Sequence, residues 1–213
     1  MLPHTFNPML AKQADGPFDS ENHLFEIKWD GIRCLAFIEP GLLRLQSRGR
    51  LDITPQFPEL GCLRQLPSGT LPDGELVIMR EGRPSLREIE KRALQQSRHR
   101  IECFSRLSPV VYMVFDLPYL KGKPLLAEPF STRRERLQEL LRRSCVPGAL
   151  LPEGISTCGR QLFAEVTRLG LEGVMAKRLD GPYLPGKRTF YWLKIKPRID
   201  TRRNGNGGVC TGL

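Results

Sequence analysis

The sequence has few of the features that mark several common classes of protein. Its longest apolar runs fall well short of the roughly 20 residues that a membrane-spanning helix needs. Residues 1–7 lack the basic segment and apolar core of a secretion signal. The three histidines are isolated and the six cysteines form no C-x-x-C pair, which argues against a structural zinc site. We therefore expect a cytoplasmic protein with reduced thiols and no membrane contact.

Acidic residues are in the minority. The chain of 213 residues has 33 Lys and Arg against 23 Asp and Glu, a net charge of +10. The excess is concentrated in residues 160–203, where eleven basic residues oppose four acidic ones and 11 − 4 gives +7. A segment with this charge favours a partner that contains phosphate, either a nucleotide or a nucleic acid. A solvated surface that keeps the protein soluble is the alternative.

Short alternating runs of polar and apolar residues predict strands, in groups with helices between some of them. Without a regular β-α-β alternation, this order favours an α+β fold with largely antiparallel sheets flanked by helices. We expect a strand at residues 23–30, with residues 33–39 and 42–47 as its antiparallel neighbours. Capping boxes at residues 85–88 and 132–135 predict the starts of two helices. The first of these helices is expected to run toward residue 98. Further strands are expected at residues 70–79, 110–117, 172–177 and 191–196, and further helices at 58–66 and 159–169.

The chain divides into one folded unit and a terminal segment. All predicted elements lie within residues 1–197, so we expect these residues to form a single domain. Residues 198–213 are rich in Gly, Asn and Arg and have no periodicity, which is typical of a disordered tail.

The first predicted strand contains the motif K-W-D-G-I-R at residues 28–33. A period of two places Glu26, Lys28 and Asp30 on one face of the strand. The Asp-Gly pair then turns the chain, and Asp30 either orients this turn or binds Arg33. The fixed positions of K-x-D-G-x-R would arise by chance in about one in a thousand chains of this length. A ladder of surface ion pairs is the other interpretation of a lysine between two acids.

Five further blocks follow this motif along the chain. They are S-R-G at residues 47–49 with F-P-E-L at 57–60, D-G-E-L at 73–76, V-F-D-L at 114–117, E-G-V-M-A-K at 172–177 and W-L-K-I-K at 192–196. Together the six blocks resemble, in content and order, the covalent nucleotidyltransferase superfamily of ATP-dependent DNA ligases, RNA ligases and mRNA capping enzymes. The P-G-K-R sequence at residues 185–188 is similar to the bacterial Ku-associated DNA ligases in particular.

The resemblance implies a fold and an activity. The fold is the covalent nucleotidyltransferase (ATP-grasp-like) fold, and the chain resembles the adenylation domain of an ATP-dependent DNA ligase. In the implied reaction Lys28 takes AMP from ATP, AMP passes to the 5′-phosphate at a nick, and the 3′-hydroxyl displaces AMP. The implied cofactors are ATP and Mg²⁺ (or Mn²⁺). The implied substrate is nicked double-stranded DNA in strand-break repair and end joining, which suits a monomer at the nucleoid.

The resemblance also implies roles for single residues. Lys28 is the nucleophile, Glu26 contacts the exocyclic amine of adenine, and Phe115 stacks on the base. Phe115 alternatively lies in the core, as most aromatic residues of strands do. The other residues expected to bind the nucleotide are Arg33, Arg48, Glu75, Lys177, Lys194 and Lys196, and those expected near the metal are Glu75 and Glu172.

The chemistry of the residues supports these roles. An amine that attacks phosphorus must be neutral, and neighbouring cations such as Lys194 and Lys196 favour the neutral form. The same two lysines share one face of the last strand, where an exposed strand edge is the simpler interpretation. Glu172 and Lys177 have opposite parity, so both face the site only if their strand twists or ends between them.

Ligases that resemble this chain continue into an OB-fold, which closes over ATP and later clamps DNA. Seventeen residues, 197–213, follow Lys196, too few for a five-stranded barrel. We therefore expect no OB-fold in this chain, and an OB-fold protein or Ku that acts in trans; a truncated or degenerate ligase is the other hypothesis. RNA ligation or capping, and a non-catalytic nucleotide- or DNA-binding remnant, are the alternative functions.

Overall fold

Two main β-sheets and four α-helices form the part of the chain that the computed structural model describes, residues 1–197. The tail expected at residues 198–213 lies outside the described residues. None of the described helices is both long and apolar enough to cross a membrane. The helices are α1 Leu86–Ala93, α2 Arg98–Leu107, α3 Phe130–Ser144 and α4 Gly159–Arg168, with 3-10 helices at Thr54–Gln56 and Pro58–Gln65. The strands are β1 Leu10–Gln13, β2 His23–Ile27, β3 Ile32–Glu39, β4 Leu42–Ser47, β5 Leu71–Val77, β6 Met79–Arg80, β7 Arg83–Pro84, β8 Val111–Leu120, β9 Lys123–Pro124, β10 Ala149–Leu150, β11 Gly154–Ser156, β12 Val174–Arg178 and β13 Arg188–Ile195.

The first sheet has the strand order β1-β13-β12-β2-β11, and the second has the order β10-β8-β5-β3-β4. Strands β6 and β7 form a separate hairpin, and β9 pairs with the end of β8. The pairs β1–β13 and β10–β8 are parallel, whereas the other pairs of the described strands are antiparallel. The expected α+β class with largely antiparallel sheets is confirmed.

Strand β2 lies in a different sheet from the hairpin that follows it. We expected residues 33–39 and 42–47 to pair with it, and that prediction was wrong: β2 pairs with β12 and β11, whereas β3 pairs with β4 and β5. The reason is that β2 ends at Ile27 and residues 28–31 cross between the sheets. Gly31 permits this crossing, since a Cβ there would lie 2.2 Å from a carbonyl oxygen of β5.

Strand β3 shows how the layers are stacked. Its residues Cys34, Ala36 and Ile38 lie in one core, and Leu35 and Phe37 lie in another. The second sheet is therefore covered on both faces, by α1, α3 and a 3-10 helix on one side and by the first sheet on the other. A third core joins α4 to the first sheet through Phe25, Val166, Val174, Ala176 and Ile195.

Helices α1, α3 and α4 occur where the sequence predicts them, whereas α2 was not predicted and one predicted cap does not form. The Ser85 hydroxyl accepts a hydrogen bond from the Glu88 amide at 3.4 Å, as its capping box predicts. The helix predicted to run toward residue 98 is shorter than expected, since α1 ends after 8 residues, and α2 is a separate helix that begins at Arg98. The capping box at Thr132 was a wrong prediction, since α3 already begins at Phe130. Phe130 is fully buried, so its packing draws the start of the helix upstream.

A buried ion pair joins α3 to β8. Arg133 and Asp116 are both fully buried, and Nε and Nη2 of the guanidinium donate to the two carboxylate oxygens at 2.7 and 2.8 Å. The remaining nitrogen of Arg133 donates to the carbonyl oxygens of Glu128 and Gly181 at 2.6 and 3.0 Å. The pair therefore holds three segments of the chain together in a region without water contact.

Replacing Arg133 by Met should destabilise the protein strongly. Asp116 would remain as a buried charge without its cation, and breaking one partner of a buried ion pair costs about 3–5 kcal/mol. Urea unfolding followed by circular dichroism measures the loss. Arg136→Met is the matched control, because Arg136 pairs with Glu128 at an exposed site of the same helix and should cost less than about 1 kcal/mol. Equal losses for the two variants would contradict this account.

Candidate active site

A cavity of about 390 Å³ opens between the two sheets. This volume is within the range of small-molecule binding sites in proteins. Its walls come from seven strands that are distant along the chain, from the crossing at residues 28–31 and from residues outside the strands, among them Arg48, Glu172 and Lys196. The wall includes every residue for which the sequence predicts a role: Glu26, Lys28, Arg33, Arg48, Glu75, Phe115, Glu172, Lys177, Lys194 and Lys196.

Lys28 lies just beyond the end of β2. Its backbone amide donates to the carbonyl oxygen of Gly173 at 2.9 Å, which ties the crossing segment to the start of β12. Its Nζ forms an ion pair with Oε2 of Glu172, and Nζ of Lys196 lies 2.7 Å from Oε1 of the same carboxylate. Glu172 therefore bridges two lysines, and all three side chains line the cavity.

Glu172 and Lys177 face the same cavity in spite of their opposite parity. Strand β12 begins at Val174, so Glu172 precedes the strand and only Lys177 follows its alternation. Gly173 makes the break, with φ of 146°, and a Cβ there would lie 2.2 Å from a carbonyl oxygen of β13. The sequence left two possibilities, a twist of the strand or a strand boundary between Glu172 and Lys177. The structure has the strand boundary.

Positive charge collects at one end of the cavity, which we call the cationic end: Arg48, Arg188, Lys194 and Lys196. Loss of solvent lowers the pKa of Lys194, and the charges of Lys196, Arg188, Lys28 and Arg48 lower it further. Such mutual repulsion is relieved when an anion binds among the cations. Arg188 was not among the predicted site residues, although it lies an even number of positions before Lys194 on β13 and thus shares its face.

Arg33 is held in place by the buried carboxylate of Asp73. Its Nε and Nη2 donate to the two carboxylate oxygens of Asp73 at 2.5 and 2.6 Å, and Asp73 also accepts from the Tyr183 hydroxyl at 2.6 Å. Burial opposes the charge of Arg33, but Asp73 outweighs it and raises the guanidinium pKa above its usual range. The partner of Arg33 is thus Asp73 rather than Asp30, whose carboxyl lines the cavity beside Glu172 and has its pKa raised, chiefly by burial.

Phe115 belongs both to the core and to the cavity wall. Its side chain is 9% exposed and packs edge-to-face on Trp192, with ring centroids 5.9 Å apart. The guanidinium of Arg33 and the ammonium of Lys177 lie 4.6 and 4.0 Å from the centre of its ring. The two interpretations of Phe115 are therefore compatible. We call this the aromatic end of the cavity: Phe115, Trp192, Lys177 and Glu26.

Glu26 is a buried carboxylate at the aromatic end, with 2% of its surface exposed. Arg134 of α3 pairs with its Oε1, and Nζ of Lys177 lies 2.6 Å from its Oε2. Burial lowers the pKa of Lys177, while Glu26 opposes that change. Arg134 was missed in the sequence because it lies in a run of basic residues on a surface helix, 108 positions from its partner.

Glu75 lies on β5 next to Arg33 and faces the cavity. Burial raises its pKa from 4.5 to about 7, against the opposing effects of Arg33 and Lys28. Within residues 1–197 no three Asp, Glu, His or Cys side chains cluster closely enough to hold a metal ion by themselves. Separate carboxylates at Glu75 and Glu172 fit a Mg²⁺ site of the kind completed by phosphate oxygens and water.

The sequence matches one family model and several proteins named as DNA ligases. Residues 8–196 match the model of the ATP dependent DNA ligase domain. DNA ligase C1 of Mycolicibacterium smegmatis is 35% identical over 222 residues, which cover 97% of this chain and 64% of that protein. The multifunctional non-homologous end joining DNA repair protein LigD of Mycobacterium tuberculosis is 33% identical over 216 residues, which cover 97% of this chain and 26% of that protein.

Solved structures show the same fold. The ligase domain of M. tuberculosis LigD superimposes with a TM-score of 0.73 at 32% identity, covering 90% of this chain and 60% of that one. Mycobacterial DNA ligase D complexed with ATP and MES gives a TM-score of 0.74 with the same identity and coverage. The chain spans 36% of a Methanoculleus marisnigri DNA ligase and about two thirds of DNA ligase C1. With the six ordered blocks gathered around one cavity, these matches establish that the chain belongs to the ATP-dependent DNA ligase domain family.

Proposed function

We propose that this chain is the catalytic domain of an ATP-dependent DNA ligase that forms a covalent lysyl-AMP intermediate on Lys28. The observation that supports this most directly is the position of Lys28, whose Nζ contacts Glu172 on the wall of a nucleotide-sized cavity. From Lys28, AMP passes to the 5′-phosphate of nicked double-stranded DNA during strand-break repair.

ATP enters with its purine at the aromatic end and its phosphates at the cationic end. The purine stacks against Phe115 and offers its 6-amino group to Glu26, while Arg33 and Lys177 line the same wall. The phosphates meet Lys194, Lys196, Arg48 and Arg188, where an anion relieves the repulsion among the cations. Lys28 connects the two ends, because it follows Glu26 by two residues and shares Glu172 with Lys196.

The first chemical step joins the Lys28 nitrogen to the α-phosphorus of ATP. Nζ must lose a proton to solvent before it attacks, and the neighbouring cations Lys194 and Lys196 favour that loss, while contact with Glu172 orients the side chain of Lys28. The lone pair then forms a P–N bond, and the P–O bond to pyrophosphate breaks with its electrons on the leaving group. Lys194 and Lys196 stabilise the negative charge that accumulates.

Glu75 and Glu172 would hold the divalent cation. Bound with the phosphates, Mg²⁺ or Mn²⁺ supplies positive charge that favours departure of pyrophosphate. Glu75 contributes as a carboxylate, and since its pKa is raised to about 7 it must lose its proton before it binds a cation well.

Two further transfers complete the reaction. An oxygen of the 5′-phosphate at the nick attacks the phosphorus on Lys28, breaks the P–N bond and returns the amine to Lys28. The 3′-hydroxyl then attacks the 5′-phosphate, and AMP leaves. We propose that an OB-fold, or Ku, assists these steps in trans, since Lys196, Arg188 and Arg48 are exposed at the cationic end and accessible to DNA or to a second protein. The protein acts as a monomer at the nucleoid in this proposal.

Replacing Lys28 by Ala should abolish covalent labelling, because it removes the amine that receives AMP in the proposed reaction. Incubation with ATP labelled at the α-phosphate and Mg²⁺ should give a covalent adduct that survives denaturing electrophoresis on the wild type and none above background on Lys28→Ala. Lys123→Ala, which changes an exposed lysine of β9 outside the cavity, is the control and should label fully. Equal labelling of Lys28→Ala and wild type would refute the mechanism. ATP binding without any adduct on the wild type would favour the non-catalytic alternative.

The polymer and the nucleotide are tested with the same labelled protein. We expect an adduct with ATP and not with GTP, and transfer of the label to the 5′-phosphate of nicked DNA rather than nicked RNA. Addition of an OB-fold domain from a relative should increase the yield of sealed product over that of the chain alone. An adduct with GTP, or transfer to RNA in preference to DNA, would favour capping or RNA ligation.

Glu75→Gln should stabilise the protein at alkaline pH. The folded-state pKa of about 7 exceeds the value of 4.5 for an unperturbed carboxyl, so the folded state binds this proton more tightly than the unfolded state does. The stability that the protonated Glu75 carboxyl contributes to the folded state is complete below pH 4.5 and is lost as the pH rises through 7. A glutamine cannot ionise, so urea unfolding should show a gain of roughly 3 kcal/mol at pH 8 and less than about 1 kcal/mol at pH 5.

Glu153→Gln is the control for this measurement, because Glu153 is exposed and should change stability little at either pH. A gain for Glu75→Gln that is the same at pH 5 and pH 8 would contradict the assignment of the raised pKa to Glu75.

A further inference from the structure

Both oxygens of the Glu26 carboxylate are held by cations. Arg134 pairs with Oε1, and Lys177 lies 2.6 Å from Oε2. The side chain of Glu26 is 3% exposed, so the carboxylate has no freedom to reorient in solvent. Each carboxylate oxygen accepts about two hydrogen bonds, which leaves an acceptor position on each oxygen for a further donor. Since Glu26 lines the cavity, that donor can come from a ligand.

Arg134 reaches Glu26 from another layer of the fold. Helix α3 packs on the second sheet, whereas Glu26 lies on β2 of the first sheet. The second nitrogen of Arg134, Nη2, donates to the carbonyl oxygen of Pro152, which also lines the cavity. Gly154, two residues on, lies opposite Glu26 in the pairing of β11 with β2. Arg134 therefore fixes the carboxylate and the neighbouring wall together.

The attachment of α3 does not depend on Arg134. The fully buried pair of Arg133 and Asp116 joins this helix to β8, and Phe130, Leu137 and Leu140 of the same helix are buried. The ion pair of Arg136 on this helix is exposed and lies away from the cavity. Among the arginines of α3, Arg134 is thus the one whose contacts end on the cavity wall.

We propose that Arg134 is a positioning residue for base recognition: with Lys177 it fixes Glu26 so that the free acceptor positions meet the 6-amino group of adenine. This inference rests on the proposed function, because it assumes a purine nucleotide at the aromatic end. Carboxylates accept hydrogen bonds from exocyclic amines of bases. Guanine has an oxygen at the same ring position, and two facing acceptors repel each other.

The test compares two nucleotides that differ only in the group recognised. ATP and purine riboside triphosphate, which lacks the 6-amino group, are titrated without divalent cation by calorimetry, so that binding is measured apart from chemistry. Arg134→Met should weaken the binding of ATP about 10-fold or more, the size expected for a hydrogen bond to a charged group, and change that of the analogue less than about threefold. Arg136→Met should change neither. Arg134→Lys should restore part of the preference for ATP, because it keeps a cation near Glu26.

Equal weakening of both nucleotides by Arg134→Met would overturn the inference and assign Arg134 a structural role, as would no change in either. If Arg134→Met does not fold, Arg134→Lys decides. Two separate nitrogens of Arg134 contact Glu26 and Pro152, and a lysine has one nitrogen on a shorter side chain. The Arg134→Lys variant should therefore still bind ATP less tightly than wild type while binding the analogue unchanged. Covalent labelling of the wild type separates this inference from the proposed function. The predicted difference in binding without any adduct would refute the ligase reaction alone, and an adduct without that difference would refute the inference alone.

Discussion

The chain crosses from one sheet to the other at residues 28–31, and the geometry of the cavity follows from that crossing. A residue at this point belongs to neither ladder, so the side chain of Lys28 is free to enter the space between the sheets. The crossing is held by the amide of Lys28 on Gly173 and by the close approach of Gly31 to β5. Because β3 is buried on both faces, a shift of the crossing would displace two cores at once.

The cavity holds its charges in two different ways. At and beside the aromatic end each charge has a partner: Glu26 pairs with Arg134 and Lys177, and the neighbouring Arg33 pairs with Asp73. Buried pairs contribute little net stability compared with apolar packing, but they fix donors and acceptors in place. At the cationic end positive charges repel one another and Lys194 has a lowered pKa. The fixed end suits recognition of a base, and the cationic end suits binding of phosphates.

Helix caps and strands could be predicted from the sequence where residues close to them in the chain determine them. The Ser85 cap and the apolar run of β8 depend on neighbouring residues, and they occur where expected. The pairing of β2 was predicted wrongly because hairpin patterns say which strands are adjacent in sequence and not which sheet each one joins. The start of α3 was misplaced because burial of Phe130 outweighs a capping signal two residues later.

By itself, the sequence determined the family, the α+β class and ten of the residues that line the cavity, since motif residues keep their identity and order in the linear chain. Only the tertiary structure decided which charges meet. Glu172 bridges Lys28 and Lys196, and Arg134 reaches Glu26 across 108 positions, through contacts that no local period encodes. The physical reason is that an ion pair depends on distance in space, and that distance is fixed by sheet order and helix packing rather than by separation along the chain.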